Sequence, residues 1–108
     1  DEVKCRNRMN KGSERTAEIY AYPEGVSPYG LYQMSGNVWE WCEDWYDEGA
    51  YKRYKTGNLA LPDSGKYRCG RGGFWDDSST SNFWCDFRDY NDPESCGSYN
   101  GFRCVRTV

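Results

Sequence analysis

The chain has 108 residues and a formal net charge of −3, with a mean hydropathy of −1.04. That bounds it to one small domain, leaves no basic face for nucleic acid and offers no apolar run long enough to span a bilayer. Histidine is absent, which removes the commonest general base and metal ligand. Five Trp, ten Tyr and four Phe stand against nine Val, Ile and Leu combined, so the core must rest on large rings whose polar ends need partners.

In chain order, residues 1–18 are charged and weakly patterned and read as loop. In "EIYAYPEGVSPYGLYQM", Pro23 and Pro28 exclude a long helix. "GNVWEWCEDWY" reads as a short strand after a turn at Gly36 and Asn37, with Val38, Trp39, Trp41 and Trp45 as anchors. Residues 47–66 form a polar loop rich in Tyr, Lys and Gly. "KYRCGRGGFW" is a second strand that closes on Gly72 and Gly73. Residues 76–100 contain no Val, Ile or Leu and read as a long irregular surface segment, of the kind that is usually functional or disordered. "GFRCVRTV" is a terminal strand. No internal repeat or boundary divides residues 1–108, and twelve glycines with Asn, Asp and Ser clusters predict a coil-rich chain.

The six cysteines are Cys5, Cys42, Cys69, Cys85, Cys96 and Cys104, and none forms a CxxC pair, which argues against a zinc ribbon or thioredoxin-type site. An even count in a loop-rich chain predicts disulfides and an oxidising compartment: extracellular, periplasmic, or a cell or virion surface. The sequence does not fix the pairing, and free cysteines acting as small apolar residues are the alternative.

"YGLYQMSGNVWEWCEDWY", then "CGRGGFW", then a segment with Cys and Arg, then "GFRCVR" resemble, in that order, the formylglycine-generating enzyme (sulfatase-modifying factor) family. The resemblance is strongest over residues 20–108. It implies an α+β, coil-rich, C-type-lectin-like fold with short strands and long loops. Family domains are longer, so it also implies a partial or shortened domain, with a second chain or a further segment completing it.

In calcium-bound relatives the turn before the WEW motif wraps the ion. The resemblance therefore implies ligands from the Gln33 side-chain carbonyl, the Gly36 and Val38 backbone carbonyls and the Glu40 carboxylate, all hard oxygens. The alternative is that Glu40 hydrogen-bonds the turn without a metal. A second family calcium site would fall near Lys11 to Ser13, which lacks suitable ligands.

The family's oxidase binds copper(I) with a Cys-x4-Cys pair shortly after the Gly-Gly turn, as suits a soft ion. Here that stretch is "DDSSTSN", with no cysteine, so copper and the oxidase reaction are not expected. The related iron sulfoxide synthase needs histidines, which this chain lacks. The remaining enzyme reading places the active groups outside these residues. Asp76, Asp77, Asp86, Asp89, Asp92 and Glu94 lie close in sequence, but an acidic solvated loop accounts for them as well as paired acid–base carboxylates do.

The expected function is therefore binding of a protein or small-molecule ligand by residues 74–100. Phe74, Phe83, Trp84, Phe87, Tyr90 and Tyr99 supply rigid contact area, and Asp76, Asp77 and Asp89 supply polar contacts. The alternative for these rings is core packing, favoured for Trp75. Residues 76–100 are also built almost wholly from residues reachable from Asn codons by adenine mutagenesis, with Trp84 and Glu94 as exceptions. That composition resembles the diversified binders of diversity-generating retroelements, which share this fold.

Overall fold

In the computed structural model, residues 4–107 are described. Four short strands form one mixed sheet: β1 (Trp39–Trp45), β2 (Arg68–Arg71), β3 (Asp89–Asn91) and β4 (Asn100–Gly101), in the order β3-β2-β1-β4. β1 pairs antiparallel with β2, β2 antiparallel with β3, and β1 parallel with β4. The rest is one six-residue helix, α1 (Ala50–Lys55), two 3-10 turns (Pro23–Gly25 and Thr80–Phe83) and coil.

The expected turn before β1 is present. Gly36 and Asn37 both take left-handed backbone angles, with φ of 76° and 71°. Only glycine fits the first position, since a Cβ there would lie 2.3 Å from the Arg6 carbonyl oxygen. Asn37 joins four segments. Its N–H donates to the Arg6 carbonyl (3.1 Å), its carbonyl accepts from the Trp75 N–H (2.9 Å), and its side-chain oxygen accepts from the Ala17 N–H (2.8 Å). The Gly36 N–H donates to the Gly72 carbonyl at 2.6 Å, tying this turn to the one that ends β2. At that second turn Gly73 has φ of 76°, and a Cβ would meet the Phe83 ring at 2.9 Å. The GN and RGG blocks are therefore a paired clasp that sets β1 and β2 side by side.

Several expectations change. Residues 47–66 are not loop throughout, because α1 forms where Ala, Lys and Arg favour helix. Asp47 fixes its start by accepting from the Gly49 N–H (2.8 Å) and from Arg53 Nη2 (2.7 Å). Residues 76–100 are stitched to the sheet by β3, where Cys69 pairs with Tyr90 and Gly70 with Asp89. The terminal strand is only Asn100–Gly101, and Phe102 and Val105 beyond it are exposed. Val108 and residues 1–3 lie outside the described residues. No disulfide forms among the described residues: Cys5 and Cys69 are buried, Cys42 is half-buried, and Cys85, Cys96 and Cys104 are exposed.

The enclosed apolar side chains among the described residues are Cys5, Trp39, Ala50 and Cys69. Trp39 packs on Phe87 with ring centres 6.1 Å apart. The Cα radius of gyration is 14.6 Å, looser than the roughly 13 Å expected for about 100 residues. Ile19, Tyr20, Tyr29 and Leu59 are among several large apolar side chains left open to solvent.

Candidate functional site

The sheet and its clasp bring the sequence blocks around one cavity of about 450 Å³. Glu40, Trp41 and Cys42 come from β1, Arg71 and Gly72 from the end of β2, Phe83 to Cys85 from the segment after the clasp, and Arg103 from the last block. Met34 and Ser35 complete one wall. The Trp84 side chain stands at the rim and is 61% exposed. Arg71 lines the cavity without a carboxylate partner among the described residues.

The side chains expected to form one binding surface are spread over several separate places. Phe83 and Trp84 line the cavity. Phe74 packs on Trp75 and Tyr99, at 5.7 and 5.9 Å between ring centres, under the cations of Lys11 and Arg15 over Trp75. Trp75 is half-buried and donates its indole N–H to the Ser98 carbonyl, so it serves packing. Tyr90 is half-exposed on the edge strand β3 and packs on Tyr46 and Tyr67 at 4.8 and 5.1 Å. Phe87 supports Trp39 instead of facing solvent alone. Asp76 pairs with Arg8 (3.3 Å) and Lys11 (3.6 Å), and Asp89 is held in the β2–β3 ladder. Arg71 and Arg103 were legible as members of the RGG and GFR blocks. Met34, Trp41, Cys42 and Cys85 carried no sequence signal that placed them here.

The Gln33–Glu40 turn takes its positive charge from within the chain. Arg103 donates through Nε and Nη2 to both Glu40 carboxylate oxygens, through Nη1 to the Tyr32 carbonyl (3.0 Å) and through Nη2 to the Gln33 carbonyl (3.1 Å). The Gln33 amide nitrogen donates to the carbonyls of Glu18 (3.0 Å) and Ala21 (3.2 Å), leaving its Oε1 buried and without a partner. Gln33 Oε1 is open, while the Gly36 carbonyl accepts from the Val38 N–H at 3.0 Å. Arg103 satisfies Glu40, the one charged ligand of the expected set, so the four residues as placed do not fit a calcium ion.

A model of the sulfatase-modifying factor enzyme 1-like domain matches residues 3–108. The chain belongs to the sulfatase-modifying factor family. The serine/threonine-protein kinase pkn1 of Chlamydia caviae is 40% identical over 105 residues, covering 95% of this chain and 16% of that protein. The formylglycine-generating enzyme of Mus musculus is 38% identical over 101 residues, covering 92% of this chain and 26% of the enzyme. Hercynine oxygenase of Mycolicibacterium smegmatis is 42% identical over 69 residues, covering 58% of this chain and 16% of the enzyme. The chain thus spans between 16% and 26% of the length of these relatives.

In the Asp76 to Asn82 stretch, where the resemblance puts the family's Cys-x4-Cys pair, Asp77 and Asn82 stand at that spacing, as do Asp76 and Ser81. Of these, Asp77 and Asn82 are hydrogen-bonded: Asn82 Nδ2 donates to Asp77 Oδ1 at 2.7 Å, and the Phe74 N–H donates to Asp77 Oδ2 at 3.2 Å. Asp77 is only 9% exposed. Burial pushes its carboxyl above the usual carboxylate range, and the two hydrogen bonds oppose that. A hard carboxylate and an amide pinned in mutual hydrogen bonds offer copper(I) nothing it prefers.

Two thiols sit on the neighbouring strands β1 and β2: the Cys42 S–H donates to the Glu40 carbonyl at 4.0 Å and the Cys69 S–H to the Gly70 carbonyl at 3.8 Å. The neighbouring Cys69 thiol brings Cys42 down to about 7, against the opposing effect of burial and with help from the Arg71 and Arg88 charges. Cys69 is pushed far up by the neighbouring Cys42 thiol and by burial.

Proposed function

We propose that this chain is a non-catalytic, ligand-binding module of the sulfatase-modifying factor family, with the C-type-lectin-like fold of that family. The observation that carries the proposal is the Asp77–Asn82 hydrogen bond inside the cysteine-free Asp76 to Asn82 stretch, the stretch that the resemblance equates with the oxidase's thiol pair. A packed polar contact stands in a stretch where redox chemistry would need two sulfurs. The cavity supplies the binding site: Trp84, Phe83 and Met34 give apolar contact, and Arg71 gives an unpaired guanidinium. That combination suits a protein segment or small molecule with an anionic group on an apolar body. Because the chain covers a minor part of its relatives, its exposed apolar side chains (Ile19, Tyr20 and Tyr29 among them) are proposed to pack against further protein that completes the domain.

The test is ligand screening by NMR on the protein and on Trp84→Ala and Arg71→Ala variants. Ligands with a carboxylate beside an aromatic or aliphatic group should shift Trp84 resonances, and each substitution should weaken them about tenfold. Binding that survives both changes would place the site elsewhere. The composition of residues 76–100 favours a second reading, a retroelement-diversified binder. Sister copies of the gene that differ mainly at Asn-derived codons in this segment would support it, and copies that differ evenly along the chain would exclude it. An enzyme whose active groups lie outside these residues is the rival class, and it predicts catalysis only in the longer protein.

A further inference from the structure

Cys42 and Cys69 are brought together by the sheet alone. Trp41 pairs with Gly70 in the antiparallel β1–β2 ladder, and Cys42 and Cys69 are the positions that follow this pair on the two adjacent strands, where the register begins to shift. Opposed side chains in such a ladder have Cβ atoms about 4.5–5.5 Å apart. A disulfide needs about 3.5–4.5 Å, a closure of about 1 Å. The register of β1 shifts between Trp41 and Trp45, so Cys42 lies in the irregular stretch and is not held to ideal ladder spacing.

The two thiols differ in access. Cys69 is 0% exposed, while Cys42 is half-buried and lines the cavity. Arg88 lies beside the pair, its Nη2 on Asp44 at 2.9 Å and its Nε buried without a partner. Arg71 adds a second cation on the cavity side, and Asp44 is the carboxylate facing both sulfurs. Sulfur anions are favoured in such electropositive, partly open surroundings.

We propose that Cys42 is a hydroperoxide-reactive thiol and that Cys69 is its resolving partner, so that this sheet closes a cross-strand disulfide on oxidation. The Cys42 thiolate attacks one oxygen of the hydroperoxide. The O–O bond breaks, a sulfenic acid forms on Cys42, and the second oxygen leaves as alcohol or water after taking a proton. Cys69 sulfur then attacks Cys42 sulfur. The S–O bond breaks, hydroxide leaves with the Cys69 proton as water, and the S–S bond forms. Two thiols lose two electrons together, and the hydroperoxide gains them. This step is independent of the ligand-binding reading above.

The test is peptide mapping of the reduced protein after brief exposure to hydrogen peroxide and blocking of the remaining thiols. The expected map shows a Cys42–Cys69 disulfide, with Cys5, Cys85, Cys96 and Cys104 still alkylated. In Cys69→Ser, dimedone should trap a sulfenic acid on Cys42. In Cys42→Ser, Cys69 should stay unmodified. Circular dichroism checks that both variants fold, and the unsubstituted protein's map decides the matter if either does not. Oxidation spread over the exposed Cys85, Cys96 and Cys104 while Cys42 stays reduced would overturn the proposal, and so would a Cys42–Cys85 disulfide.

Discussion

Replacing Arg103 with alanine removes the cation that organises the Gln33–Glu40 turn. Arg103 and Glu40 side chains are 31% and 20% exposed, so the pair is neither fully buried nor free in solvent. Breaking a buried pair costs about 3–5 kcal/mol because a charge is left unpaired, while exposed pairs contribute about 0–1 kcal/mol. The partial burial, with the Tyr32 and Gln33 carbonyls losing their donor, places the expected loss at about 2–3 kcal/mol. For a chain of this size that lowers the melting temperature by roughly 10–20 °C. Glu40→Gln should lose less, since the amide oxygen still accepts from the guanidinium, and the double variant should show coupling of about 1–2 kcal/mol. The assay is urea unfolding of the four proteins, each with calcium and with EDTA. Equal losses in both conditions agree with Arg103 as the resident cation. A parent protein stabilised by calcium and weakened by EDTA, with little loss in Arg103→Ala, would refute the reasoning.

Gly36→Ala should cost about 3 kcal/mol or more in the same assay, because the new Cβ meets the Arg6 carbonyl at 2.3 Å in a left-handed conformation. A loss under 1 kcal/mol would show that the clasp can relax. Trp84→Ala should leave the unfolding midpoint almost unchanged, since its ring is mostly in solvent. Cys42 has a folded value of about 7, below the usual thiol value of 9.0. Its contribution is therefore present above about pH 9 and lost as pH falls through about 7. Cys69 is shifted the other way, so above pH 9 the unfolded chain releases a proton that the folded chain keeps. Stability should climb from about pH 7 to about pH 9 and decline beyond. Cys42→Ser should flatten the climb, and an unchanged profile would remove the thiol pair from the account.

The parts of the fold that were legible in the sequence are those fixed by local backbone chemistry. Gly36-Asn37 and Gly72-Gly73 announce turns because few other residues tolerate left-handed angles, and β1 and β2 follow directly from them. β3 was illegible because Asp89–Asn91 is three residues long, too short to show alternation, and its existence depends on pairing with Arg68–Gly70. α1 was missed for the same reason: six residues hold too little period to read, and Asp47 anchors the helix through Arg53. At the site, Phe83 and Trp84 were identifiable from exposed aromatic character. Phe87 and Tyr90 could not be separated from them, since only packing on Trp39, Tyr46 and Tyr67 distinguishes supporting rings from presented ones. Cysteine parity suggested disulfides, but facing two thiols across a ladder is a property of register, which no count reveals.

The measurement that bears most directly on the central claim is an aldehyde assay. The protein would be loaded with copper(I), supplied with oxygen and incubated with a cysteine-containing peptide, and the peptide read by mass spectrometry. With no cysteine in the Asp76 to Asn82 stretch, the peptide cysteine should stay intact, as in a control without protein. Formylglycine appearing at a rate that depends on copper and protein would contradict a non-catalytic module and restore an oxidase.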